Sequence, residues 1–137
     1  MPAGKAYTKN LKALGGKAQA PSRPSRAVLE AFPNPSPGME YTVQFDCPEV
    51  TSLCPVTGQP DFGRLTLEYT PDKLCLESKS LKLYLMGFRN EGAFWEELVN
   101  RIADDLYAVL KPRRLTLTGY MAPRGGIGIT VTARRGG

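Results

Sequence analysis

Cys54 and Asp61 stand seven residues apart in the stretch Thr51-Ser52-Leu53-Cys54-Pro55-Val56-Thr57-Gly58-Gln59-Pro60-Asp61-Phe62, which is crowded with turn-forming residues. A loop cysteine beside a carboxylate can act as a nucleophile with its own proton carrier. The same composition also suits an ordinary long loop with an incidental cysteine, and on these residues alone both readings stay open. Histidine is absent from the chain, which removes Ser-His-Asp and Cys-His catalysis and every histidine-ligated metal site. Acid–base work then falls to Asp, Glu, Cys, Lys or Tyr. The three cysteines, Cys47, Cys54 and Cys75, fit no metal-ligand spacing and cannot all pair with one another. No metal is expected, and a reducing, cytoplasmic compartment is the natural setting.

The elements that must position this loop can be read from periodicity. Residues 41–45 and 64–69 alternate apolar and polar, as half-buried strands do, with residues 46–61 a loop between them. Residues 74–77 read as a short return strand after the turn Thr70-Pro71-Asp72-Lys73, and residues 80–88 as a short helix. The clearest helix covers 91–110, where Phe94, Trp95, Leu98, Val99, Ile102, Leu106, Val109 and Leu110 recur at three- and four-residue steps. Lys111-Pro112 stops it. Residues 115–120 and 127–132 read as two more strands, joined across Ala122-Pro123-Arg124-Gly125-Gly126. Strands, then helices, then strands argue for an α+β fold with two helices on one face of an antiparallel sheet.

At 137 residues, with 42% hydrophobic and 23% charged residues, the chain has the size and composition of one globular domain. No apolar run is long enough to span a membrane, and no leader peptide is apparent. The net charge of +5 is unevenly placed. Residues 1–29 carry Lys5, Lys9, Lys12, Lys17, Arg23 and Arg26 and no acid, leaving twelve basic against thirteen acidic residues in 30–137. Basicity therefore belongs to a tail, and the body is near neutral. We expect residues 1–27 to be a disordered basic arm, solubilising or RNA-binding, and residues 28–137 to be the domain.

Four segments in order resemble the 7-cyano-7-deazaguanine reductases, the nitrile reductases of queuosine biosynthesis, in their single-module form. They are the Cys54–Asp61 loop, Glu77-Ser78-Lys79-Ser80-Leu81-Lys82-Leu83-Tyr84, Phe88-Arg89-Asn90-Glu91-Gly92-Ala93-Phe94-Trp95-Glu96, and Pro123-Arg124-Gly125-Gly126-Ile127. The match runs from about residue 29 to 131. The resemblance implies a tunnelling fold assembled into stacked rings, a homo-oligomer with active sites between subunits. It implies NADPH-dependent reduction of a nitrile to a primary amine. Cys54 would be the thioimide nucleophile and Asp61 the proton donor. Leu76, Glu77, Ser78, Trp95 and Glu96 would bind the deazapurine, with Glu96 accepting from its amino-pyrimidinone edge. Lys79, Lys82 and Arg124 would bind the cofactor phosphates. The plainer readings are a first-turn helix acid for Glu96 and a solvated cationic face for the other three.

The chain departs from many relatives in carrying Trp95 where they have histidine. The indole would then cover the deazapurine, pack at a subunit interface, or fill core beside Phe94 and Leu98. Competing functions are the archaeal amidinotransferase branch of the fold, which acts on nitrile-bearing tRNA, a pterin-type cyclohydrolase, and a non-catalytic tRNA-binding module. Those cyclohydrolases depend on histidine or zinc. The near-neutral body argues against direct nucleic-acid binding. The Glu77–Tyr84 signature favours the reductase.

Overall fold

A computed structural model describes residues 21–137. Its main sheet is antiparallel, in the order β2 (Val43–Leu53), β3 (Pro60–Thr70), β5 (Arg114–Arg124) and β6 (Ile127–Gly136). A second, two-stranded sheet pairs β1 (Ala31–Pro33) with β4 (Leu74–Leu76). Helices α1 (Ser78–Met86) and α2 (Trp95–Leu110) follow β4 in the chain. The arrangement is the expected α+β architecture. No described helix is long and apolar enough to cross a membrane.

The sheet differs from the sequence expectation in two instructive ways. β2 runs on to Leu53 through what reads as loop, because a bulge between Cys47 and Val50 takes up Pro48. Proline has no N–H to give a ladder and is tolerated where pairing is already broken. β5 repeats the device, with a bulge between Met121 and Arg124 that contains Pro123. Beyond it Gly125 and Gly126, at φ 61° and 84°, close the hairpin to β6, as a two-residue turn of that hand requires. The return strand β4 also does not pair back on β3. It joins β1, with Phe32 opposite Cys75.

α2 lays Leu98, Val99, Ile102, Ala103, Leu106 and Leu110 on the sheet, all buried. Its first residue, Trp95, is 3% exposed and fills core. The ring lies where a Cβ on Gly63 would collide with it, and the indole N–H donates to the Gly119 carbonyl at 3.1 Å. Two glycines thus make a flat seat on adjacent strands for one large ring. α2 begins at Trp95 rather than Glu91 because residues 91–93 are bound to the end of β2: Leu53 N–H donates to the Glu91 carbonyl at 2.9 Å, and Ala93 N–H to the Leu53 carbonyl at 3.1 Å.

The described residues before β1 make defined contacts. Ser25 caps a single 3-10 turn, Arg26–Val28. Arg26 pairs with Asp105 at 2.9 Å, and Arg89 donates to the Pro21 carbonyl at 2.7 Å. Residues 21–27, expected in the arm, thus touch the body through these contacts. The remainder of the expected arm, residues 1–20, lies outside the described residues.

Truncating Trp95 tests its seat. Trp95→Ala should cost about 3–5 kcal/mol of stability through the cavity it leaves, read as a lowered urea midpoint. A loss below about 1 kcal/mol would show that the ring is not a core residue.

Candidate active site

The six residues between β2 and β3 form a tight loop. Cys54 N–H donates to the Gln59 carbonyl at 2.8 Å, and Gly58 N–H to the Cys54 carbonyl at 2.9 Å. Gly58 takes the left-handed φ of 72° that the turn needs. This winding brings donors onto the Cys54 sulfur: the Thr57 hydroxyl first, then the backbone N–H groups of Thr57 and Val56, then the Arg124 side chain. Together they pull the thiol down to about 6, against a smaller opposing effect of burial. Cys54 is 9% exposed, and burial opposes its ionisation less than these donors favour it. A thiolate stabilised in this way needs no histidine.

Asp61, second residue of β3, is 4% exposed. Arg124 Nε stands 3.0 Å from its Oδ1, although not in line for a hydrogen bond. The bulge at Met121–Arg124 explains this placement, since a bulge re-aims the side chains of its strand. One guanidinium therefore serves both the sulfur of Cys54 and the carboxylate of Asp61. The sequence reading paired Cys54 with Asp61 and set Arg124 with the cofactor lysines; in the structure Arg124 stands against both Cys54 and Asp61. Thr57 was missed. Its signal was a hydroxyl three residues after the cysteine, followed by glycine.

The remaining expected residues lie elsewhere in the chain. Ser78 and Lys82 line a cavity of about 590 Å³ between β2 and α1, with Phe45, Cys47, Thr51 and Arg89 also in its wall. Neither Cys54, Asp61 nor Arg124 borders it. Lys79 is half-buried on the first turn of α1. Glu77 is buried and its carboxylate caps α1, one oxygen accepting from Lys79 N–H at 2.8 Å and the other from Ser80 N–H at 2.7 Å. Leu76 is buried, its N–H donating to the Tyr69 hydroxyl at 2.8 Å. Glu96 is exposed on the first turn of α2. Trp95 points into the core, so in the single chain its ring has no free face for a ligand. Cys47 and Cys75 are free thiols. Burial raises Cys47 above the ordinary thiol range.

Residues 60–137 match the family model described as QueF-like protein. The chain belongs to the QueF-like family. It is 54% identical over 116 residues to the NADPH-dependent 7-cyano-7-deazaguanine reductase of Anaeromyxobacter sp. (strain K), covering 85% of this chain and 94% of that one. It is 51% identical over 128 residues to the protein of the same name from Parvibaculum lavamentivorans, covering 93% of this chain and 83% of that one. Among solved structures it resembles an archaeosine synthase QueF-Like in the apo form, with a TM-score of 0.66, 23% identity, and coverage of 70% of this chain and 94% of that one. The fold observed is the tunnelling fold that the resemblance to the reductases implies.

The Cys54 environment makes a pH prediction. A depressed thiol is ionised above its pKa and loses reactivity as pH falls through it. Alkylation of Cys54 by iodoacetamide should therefore rise with a midpoint near pH 6. About nine-tenths of the thiol should be ionised at pH 7, against a few per cent for an ordinary cysteine. Thr57→Val should move the midpoint upward. An unshifted midpoint in that variant would remove Thr57 from the site.

Proposed function

We propose that this chain reduces the nitrile of 7-cyano-7-deazaguanine to a primary amine with NADPH, through a thioimide on Cys54. The observation that carries this reading is the histidine-free thiolate of Cys54, set beside Asp61 by Arg124 in a chain so similar to the named reductases. A free nitrile carbon is a poor hydride acceptor, and a thioimide is a better one. The Cys54 sulfur adds to the nitrile carbon. Asp61 passes a proton, drawn from the thiol or from water, to the nitrogen. Because the loop itself ionises Cys54, Asp61 is not needed as a strong base and its task is delivery. After the first reduction the resulting hemithioaminal expels Cys54, and the second reduction of the released imine gives the amine.

The cofactor fits the donors present. Lys82 and Arg89 stand on the wall of the 590 Å³ cavity, whose apolar side includes Phe45, Leu81 and Leu85. Asp46 and Glu49 share the wall, so the phosphate oxygens would fall to Lys82, with the uncharged ring on the apolar side. Lys79, Lys82 and Arg124 would hold its phosphates; each NADPH would supply one hydride when bound, so a four-electron reduction would use two NADPH in turn. Glu96, Ser78 and the segment 76–78 would orient the deazapurine. The Glu77 carboxylate serves this only indirectly, by capping the helix that carries Ser78 and Lys82.

The cavity and the Cys54–Asp61 pair are separate places in one chain. We propose that a second copy joins them, in a homo-oligomer whose sites lie between subunits. Phe62, Phe94 and Ile127 are large exposed apolar side chains. They are residues such an interface would cover. The substrate would be a free small molecule rather than tRNA, in the cytoplasm, in keeping with the near-neutral body.

Incubated with the nitrile and no NADPH, the protein should gain the mass of one substrate per subunit. Cys54→Ala should abolish the adduct and Cys75→Ser should keep it. Asp61→Asn should slow adduct formation by about 10²-fold or more, the usual weight of a positioned proton carrier. Wild-type protein that incorporates ammonia without oxidising NADPH would favour the amidinotransferase instead.

Lys82→Ala should weaken NADPH by roughly 1.5–3 kcal/mol, the worth of a charge-assisted contact, and should narrow the preference over NADH. Equal efficiency of the two cofactors in the wild type would remove the lysines and Arg124 from a 2′-phosphate site.

A further inference from the structure

Ser52 and Asp61 are register partners on β2 and β3. Directly opposed residues of an antiparallel pair project to the same face. Here that face is the covered one: Ser52 is 1% exposed and Asp61 4%. Cys54, two residues beyond Ser52, is buried as well. Ser52 Oγ and Asp61 Oδ1 are both sealed from solvent, and neither makes a hydrogen bond. Arg124 balances the charge on Asp61 Oδ1 at 3.0 Å without giving it a bond.

A buried hydroxyl with no partner is a cost to the folded chain. This hydroxyl and the carboxylate oxygen stand on facing positions at the strand ends that carry the nucleophile loop, and a group that both donates and accepts would satisfy them. The nitrogen of a nitrile under attack is such a group. It accepts while charge builds on it, and once protonated it also donates.

We propose that the Ser52 hydroxyl is a catalytic residue that donates a hydrogen bond to the substrate nitrogen as Cys54 adds to the nitrile carbon. The proposal rests on the nitrile-reductase reading above. In this step the Cys54 sulfur–carbon bond forms and one carbon–nitrogen π bond breaks. Its electron pair moves onto nitrogen, which takes the proton carried by Asp61. Ser52 stabilises the charge on nitrogen before that proton arrives, as an oxyanion-hole donor does for oxygen. The new N–H then donates to Asp61 Oδ1, so both orphaned atoms gain their partner only with the intermediate in place. Because the contact strengthens in the transition state, its loss falls on kcat rather than KM.

The test uses Ser52→Ala and Ser52→Thr in the full chain. Adduct formation with 7-cyano-7-deazaguanine is timed by intact mass without NADPH, beside turnover with it, melting temperature and the pH profile of Cys54 alkylation. We expect Ser52→Ala to melt at or above the wild-type temperature and to leave the alkylation midpoint unchanged. Adduct formation and kcat should fall roughly 10²-fold, the usual effect of removing one such donor, with KM little changed. Ser52→Thr, which keeps a hydroxyl, should recover most of the adduct rate. An adduct rate in Ser52→Ala within twofold of wild type would overturn the proposal, leaving Ser52 to a buried water. A lowered melting temperature with no recovery in Ser52→Thr would also overturn it, as a packing role. Wild-type protein that forms no adduct at all would bring down the reductase reading and this proposal together.

Discussion

The seat of Trp95 is the constraint on which the rest of the structure depends. One indole lies on a floor made by Gly63 of β3 and Gly119 of β5, and its N–H is satisfied by the Gly119 carbonyl. A side chain at either glycine would lift α2 off the sheet. The ring therefore fixes where α2 begins and how close it comes. That start in turn leaves residues 91–93 extended and bonded to Leu53, next to Cys54. A contact between a helix and a sheet thus locates the strand end from which the nucleophile loop springs.

Two prolines shape the same region from either side. Pro48 and Pro123 each sit in a bulge, one in β2 and one in β5. The first bulge lets β2 continue as far as Leu53. The second turns Arg124 inward to Asp61. Ladder pairing without bulges would give flatter strands and a different aim for both side chains. The site is in this sense a product of places where the sheet's hydrogen bonding is interrupted.

Much of this was legible in the residues. The three- and four-residue spacing from Phe94 to Leu110 marked α2, and alternation marked the centres of β3, β5 and β6. Cys54 and Asp61 stood out by type and by motif. What was not legible depended on distant partners. Pro48 reads as a strand breaker, and only pairing with β3 shows that a bulge absorbs it. Residues 74–76 read as a strand, but their pairing with β1 across the chain has no local signature. Trp95 next to a motif glutamate reads as a substrate contact. Its place in the apolar stripe of α2 allowed a core role as well, but the glycine floor that decides for it comes from two other strands. Arg124 was visible as a cation in a glycine-rich turn, but its aim at Asp61 was set by the bulge.

The placement of Arg124 has a bearing on how heat would act on the protein. It sits at the exposed tip of the β5–β6 hairpin, just before Gly125 and Gly126. Hairpin tips open locally at far lower free energy than a core melts. The guanidinium that serves Cys54 and Asp61 is therefore tied to one of the least cooperative parts of the sheet, while the strand ends beneath it are held by the Trp95 core. Warming would disperse the charge arrangement of the site before the fold gave way. The temperature at which the protein ceases to work would then lie below the temperature at which it unfolds, and cooling would restore the site without any refolding.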